Sequence, residues 1–326
     1  WVATGPFIRS FEEAVAGYLG ATDAVAVSSG TAALHVALLV AGVKPDDEVL
    51  VSTLTFIAPA NAVRYAGAWP VFIDAEPDYW QMDPQRVVDF LEQECAWAAG
   101  ELRNKTTGRR VKAILPVHIL GHPVDLDPIL AAARKFGLAV IEDATESLGA
   151  RYKDRMVGHL GDVGVFSFNG NKLITTGGGG MGLTDDERTA ERIRALATVS
   201  KIEVPHSFWH SDVGFNYRMP NMNAALGLAQ MDNLPDILKR KRRINYAYHK
   251  AFEGTGYAAI LKTVRPTNHW LNAVVVRDEH LRHEVILLLN GVGIESRLSW
   301  TPLNLMPMYQ NNPRDDLETT MRLANS

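Results

Sequence analysis

The stretch Phe166-Ser167-Phe168-Asn169-Gly170-Asn171-Lys172-Leu173-Ile174-Thr175-Thr176, followed by Gly177-Gly178-Gly179-Gly180, decides the fold. Its apolar start, residues 163–168, reads as a buried strand that delivers Lys172 into polar, glycine-rich surroundings. Upstream, residues 138–141 (Leu-Ala-Val-Ile) read as a second buried strand and end in Glu142-Asp143. A lysine and an aspartate, each just past the end of a buried strand, are what an enzyme needs to hold pyridoxal phosphate. The lysine forms the Schiff base and the aspartate pairs with the pyridinium nitrogen. Four glycines in a row suit a backbone drawn tight beside such a group; they equally suit a flexible turn, and no stable strand or helix is expected of them alone.

Working outward, residues 24–27 form a short apolar strand that runs into Ser28-Ser29-Gly30-Thr31, and residues 32–40 are apolar and helix-prone. Strand, Ser-Ser-Gly-Thr, helix is a phosphate-binding arrangement, because Gly30 lets the backbone approach and the helix end offers free N–H groups. The same four residues also read as a plain helix cap. Strands at 48–52, 71–74, 111–117 and 138–141 alternate with helices at 55–66, 84–100 and 125–136. The alternation predicts an α/β fold with a mainly parallel sheet and active groups at the strand C-terminal ends. Phe56 sits at a strand-to-helix junction, where it can stack on an aromatic cofactor or simply pack in the core. Glu146 is near enough to Asp143 in sequence to reach the same cofactor.

Beyond the lysine, residues 184–197 read as a capped helix, 206–217 as an aromatic, polar loop, and 219–231 as a helix. His206 and His210 have the spacing of a metal pair but lack a carboxylate partner, so no metal is expected. From about residue 236 the pattern changes to a helix ending near 252, a strand at 271–276, a helix at 278–289, a strand at 293–297 and a Pro-rich tail. This divides the chain into a large domain, 1–235, and a smaller C-terminal α+β domain, 236–326. The chain begins at Trp1 and stops at Ser326 within a helical pattern, which reads as trimming of that domain.

The bulk numbers exclude several classes. A net charge of −4 carries no basic excess for nucleic acid, and the dense run Lys239 to Arg243 reads first as a solvated helix face. One cysteine, Cys95, allows neither an intramolecular disulfide nor a Cys-based zinc site, which fits a reducing cytoplasm. No apolar run has the length of a membrane span, and no signal peptide is visible.

Residues 28–35, 46–49, 67–74, 142–147, 166–172 and 214–219 occur in an order that resembles the nucleotide-sugar aminotransferases of the DegT/DnrJ/StrS group. The resemblance covers essentially the whole chain and implies the PLP-dependent transferase fold of type I, like aspartate aminotransferase. It makes Lys172 the Schiff-base lysine and Asp143 the partner of the pyridine nitrogen. Gly30, Thr31 and Ser167 would hold the phosphate, Phe56 would stack on the ring, and Glu146 would stand near the ring hydroxyl. Asn216 would reach the cofactor phosphate of a neighbouring subunit, which implies a homodimer with shared active sites. Arg218 and His210 become candidate substrate contacts. The segment 167–180 looks most like the subgroup making legionaminic-acid-type sugars; many members have Gly-Glu-Gly-Gly where this chain has four glycines.

The implied reaction moves an amino group from glutamate to a nucleotide-linked 4-keto-6-deoxy sugar, with pyridoxamine phosphate as the intermediate form of the cofactor. Dehydratases of the same fold resemble this chain but carry histidine where Lys172 stands. A regulator that kept the cofactor and lost turnover is disfavoured by the intact Lys172 and Asp143. A nicotinamide dehydrogenase lacks its Gly-x-Gly-x-x-Gly turn here.

Overall fold

The computed structural model describes residues 2–256, 258–276 and 278–325; Trp1 and Ser326, where the sequence reads as trimmed, lie outside the described residues. Seven strands form the central sheet: β1 (Asp23–Val27), β2 (Glu48–Ser52), β3 (Trp69–Ile73), β4 (Val111–Leu115), β5 (Ala139–Asp143), β6 (Val163–Ser167) and β7 (Gly180–Thr184). Their order is β1-β7-β6-β5-β4-β2-β3. All run parallel except β7, which pairs antiparallel with both β1 and β6.

These strands read as continuous apolar runs because both faces are covered. On one face Phe166 joins Phe11, Leu126, Ile129 and Leu234. On the other, its neighbour Val165 joins Val25, Leu34, Val63 and Ile193. Adjacent strand residues point to opposite sides, so one strand serves both cores. The first layer holds helices α1 (Pro6–Leu19), α4 (Pro84–Asp89), α5 (Leu126–Phe136) and α7 (Asn221–Phe252); the second holds α2 (Gly30–Val40), α3 (Ala58–Tyr65) and α6 (Glu187–Ala197). This is the α/β arrangement with a mainly parallel sheet that the alternation predicts.

The structure differs from the sequence reading in several places. The helix expected over 84–100 ends early: α4 passes into a wider helical turn at Phe90–Glu94, and strands Cys95–Ala98 and Glu101–Asn104 then form a hairpin. Ala99 and Gly100 both adopt positive φ and turn the chain back. Within that hairpin Cys95 is buried, and burial pushes its thiol up to about 12, so it is inert at neutral pH. The loop expected at 206–217 begins as a hairpin of Lys201–Val204 and Ser207–His210. No strand forms at 293–297.

The helices expected at 219–231 and 236–252 are one, α7, which carries Pro235 inside it. The boundary expected at 235/236 therefore falls within a continuous helix. The far C-terminal segment returns to the sheet edge. Phe72 donates its N–H to the Pro313 carbonyl at 3.0 Å, and Asp315 donates to the Phe72 carbonyl at 3.1 Å. The last helices are α8 (Arg282–Gly291) and α9 (Glu318–Ala324); Asp74 accepts the Thr319 and Thr320 N–H groups at 2.8 and 2.7 Å, capping α9 across the fold.

Candidate active site

The segments that follow β1 and β5 come together at the C-terminal end of β6, through Gly30, Thr145 and Ser167. After β1 the chain turns through Ser28-Ser29 into α2, where the Ser29 hydroxyl oxygen accepts the Ala32 N–H at 3.0 Å. Gly30 is buried against β6 and the loop after β5. A Cβ on it would lie 2.9 Å from Ser167 Cβ and 3.3 Å from Thr145 Cγ2. Glycine is required there because the three segments are already in contact. Thr31 follows, half-buried, in the first turn of the same helix.

Gly180 explains where the four-glycine run goes. Its Cβ would stand 2.3 Å from the Ser29 carbonyl carbon and oxygen, so only glycine lets β7 pass the β1–α2 turn. The run ends by starting a strand rather than staying a turn. Neighbouring strands supply the hydrogen bonds that glycine's propensity alone does not predict.

Asp143, at the end of β5, is buried. Burial pushes its carboxyl up, against the Thr145 hydroxyl and N–H and the Lys172 charge, which favour ionisation. A buried carboxylate in this state gains most from a cation placed against it, such as a protonated ring nitrogen. The end of β5 is held rigidly. His118 donates its backbone N–H to the Asp143 carbonyl, and Asp143 donates to Pro116. The His118 Nδ1 accepts the Val124 N–H, so Nε2 carries the proton and donates to Glu142 at 3.1 Å. Burial opposes ionisation of Glu142, but His118 and the N–H groups of Gly158 and Gly161 outweigh it and hold its carboxyl down. Glu142 is therefore an anchor, not a reactive acid.

Lys172 lies beyond β6 with its side chain 14% exposed. Its Nζ stands 3.5 Å from Glu146 Oε1, whose other oxygen accepts the Leu120 N–H at 2.7 Å. Burial pushes the Glu146 carboxyl up to about 7, with Lys172 and the Leu120 N–H acting the other way. The structure thus brings together Lys172, Glu146 and Asp143, with Gly30, Ser167 and Thr145 beside them. Phe56 leaves the end of β2 with 56% of its surface exposed. A phenylalanine so bare at the sheet's active edge is not a core residue.

The remaining candidates stand further out. Tyr217 accepts the Ser28 N–H at 2.7 Å and Arg218 bridges Val27, so this segment borders the β1–α2 turn. Asn216 is exposed and bridges Thr198. His210 ends the exposed hairpin, with Nδ1 2.8 Å from the Val199 carbonyl oxygen. No cluster able to hold a metal ion occurs among the described residues.

Sequence reasoning missed the segment Thr267 to Trp270. The Thr267 hydroxyl donates to the Gly121 carbonyl at 2.5 Å, and Asn268 Nδ2 donates to the Glu146 and Leu148 carbonyls at 2.8 and 3.0 Å. The Trp270 ring centroid lies 4.2 Å from Lys172 Nζ. The only signal was a His-Trp pair just after a Pro-Thr-Asn turn, about a hundred residues from the lysine.

The donor set fits pyridoxal phosphate: an amine, a buried carboxylate for a cationic ring nitrogen, and a glycine cradle at a helix N-terminus for an anion. The chain matches the family model described as the DegT/DnrJ/EryC1/StrS aminotransferase family over residues 1–326. It is 39% identical over 324 residues to the GDP-perosamine synthase of Caulobacter vibrioides, covering 98% of this chain and 83% of that one. A DegT DnrJ EryC1 StrS aminotransferase from Brucella abortus has the same fold, with a TM-score of 0.90 at 27% identity over 99% of this chain and 84% of the other. So does a putative sugar aminotransferase, Spr1654, from Streptococcus pneumoniae in its PMP form, with a TM-score of 0.85 at 26% identity over 95% and 81%. By sequence along its whole length and by fold, this chain belongs to the DegT/DnrJ/EryC1/StrS aminotransferase family.

Proposed function

We propose that this chain is a pyridoxal-phosphate-dependent aminotransferase that moves an amino group from glutamate to a nucleotide-linked 4-keto-6-deoxy sugar. The observation that carries the reading is the half-buried Lys172 amine set beside the buried Glu146 and Asp143 at the strand ends. When bound, pyridoxal phosphate supplies a carbonyl that exchanges with amines and a cationic ring that draws electrons from the carbon losing a proton.

The chain's own residues do the rest. Asp143 would pair with the ring nitrogen and favour its positive charge. Gly30, Thr31 and Ser167 would hold the phosphate at the α2 N-terminus, where N–H groups and the helix dipole favour an anion. Phe56 would stack on the ring and Glu146 would serve the ring hydroxyl, while Lys172 Nζ would take the proton from Cα of the donor amino acid. Arg218 and His210 are assigned to the substrate side.

The resemblance to GDP-perosamine synthase makes a GDP-linked keto sugar the first acceptor to try. A screen of nucleotide-linked 4-keto sugars with glutamate as donor tests the reading. Release of 2-oxoglutarate beyond one equivalent per site only when a keto sugar is present supports it. Turnover with none of them, from protein that takes up the cofactor, favours the regulator instead.

We assign the working form to a homodimer in the cytoplasm. The hairpin 201–210 is exposed along both strands, with Phe208 85% and Trp209 61% exposed. A lone two-stranded ribbon is marginal in water, so a second copy covering it restores the missing burial. Among the described residues no helix is long and apolar enough to cross a membrane. If Asn216 reaches the partner's cofactor phosphate, Asn216→Ala weakens pyridoxal phosphate retention by roughly tenfold, the value of one charge-assisted hydrogen bond. Equilibrium dialysis of the dimer checks this, and unchanged affinity removes Asn216 from the site.

A further inference from the structure

Lys172 carries two duties that conflict in space. It anchors the cofactor, and it must also stand free, close by, while the donor amine occupies that position. This inference rests on the assignment of Lys172 to the cofactor and concerns where its amine goes when free.

The amine lies between two groups: the Trp270 ring, 4.2 Å from Nζ to the centroid, and Glu146 Oε1 at 3.5 Å. A cation over a desolvated indole face is held by the ring quadrupole, and a carboxylate within reach of it adds to that. The ring does not owe its position to Lys172. Its Nε1 donates to the Asn171 carbonyl at 2.9 Å, its backbone N–H donates to Asn268 Oδ1 at 2.9 Å, and its carbonyl accepts from Lys241 Nζ at 2.8 Å. Asn268 is itself tied to the Glu146 and Leu148 carbonyls. Asn268 therefore ties the Trp270 backbone to the Glu146 backbone, so the two residues are held by one hydrogen-bonded unit. Lys241 comes from the basic run on α7, so part of that run serves the site and not solvent alone.

We infer that Trp270 is a positioning residue: its ring and the Glu146 carboxylate form a preformed seat for the Lys172 ammonium whenever the lysine is not joined to the cofactor. The seat keeps a flexible side chain within reach instead of letting it swing to water, which preserves the proximity on which its proton transfers depend. His269, in the same segment, is pushed down to about 4 by burial and brings no competing charge at neutral pH.

The test uses the full chain stripped of cofactor, labelled at pH 7.5 with an acetylating N-hydroxysuccinimide ester and followed lysine by lysine by peptide mass. The exposed Lys44 is the internal reference. A seated ammonium reacts slowly. Trp270→Leu, apolar but without a π face, is expected to speed Lys172 labelling about tenfold over Lys44, in line with a desolvated cation–π contact. Trp270→Phe keeps a π face, loses only the indole N–H, and stays within about twofold of the unaltered chain. Glu146→Gln, nearly isosteric, raises the rate about fivefold through loss of the carboxylate charge.

Equal acceleration by Leu and Phe, or no acceleration by either, overturns the seat. Should Trp270→Leu fail to fold, Glu146→Gln against Trp270→Phe decides: labelling no faster in Glu146→Gln than in Trp270→Phe overturns it. Labelling needs no cofactor. A protein that never takes up pyridoxal phosphate would therefore remove the Lys172 assignment, while the labelling result would still report on the seat.

Discussion

Lys172→Ala is expected to abolish both amino transfer and the visible absorbance that the protein acquires with pyridoxal phosphate, while leaving it folded. The rate loss should be at least about 10⁴-fold, because one substitution removes the covalent anchor and the base that moves the Cα proton. The fold should survive for an electrostatic reason. Without Lys172 the Glu146 carboxyl loses the cation that favours its ionised form, so it moves further up from about 7 and is neutral at pH 7. A neutral buried carboxyl that keeps the Leu120 hydrogen bond costs little. Absorbance titration, stopped-time assays and a thermal melt on the same sample check all three parts. A variant with ordinary turnover would remove Lys172 from the chemistry.

Asp143→Asn should lower turnover by roughly 10²–10³-fold, the usual size of losing one preorganised electrostatic partner. Asparagine keeps the shape and can still accept the Thr145 N–H, but it offers no charge to a ring nitrogen. The pH dependence carries its own signature. Burial raises the folded Asp143 carboxyl above its ordinary value, so it protonates as pH falls through that raised value. Its ability to pair with a cation is present above that point and lost below it. Cofactor retention in the unaltered protein should therefore weaken on the acid side, and the Asp143→Asn variant should be weak throughout without that limb. Equal retention by both proteins across pH would separate Asp143 from the ring.

Much of this site is legible in the sequence because its parts lie at strand ends. Val163 to Phe168 and Leu138 to Ile141 are apolar runs that only a covered parallel sheet accommodates, and such sheets present their working residues where strands finish. That logic sets Lys172, Asp143 and Gly30 at the same end of the sheet. Local propensity fails where tertiary pairing overrides it. Gly180 and Gly182 argue against a strand, yet β7 fills the gap between β1 and β6. Residues 95–100 look helical until the turn at Ala99–Gly100 reverses the chain.

The parts played by Trp270, Asn268 and Lys241 are not legible in the sequence, where Lys241 shows only as one charge of a basic run. Each reaches the cleft from the far third of the chain through a side-chain hydrogen bond to a backbone carbonyl, and such a bond leaves no periodic trace in sequence. Near residue 236 the change of pattern suggests two helices, but α7 continues through it because the side packed against α1 holds it.

The most direct measurement of the central claim is borohydride reduction of the cofactor-loaded protein, followed by peptide mass mapping of the pyridoxyl group that reduction fixes to an amine. The account predicts a single modified position, Lys172, and loss of that modification in Lys172→Ala. A pyridoxyl group on another lysine, or one spread over the surface lysines with Lys172 untouched, would contradict it.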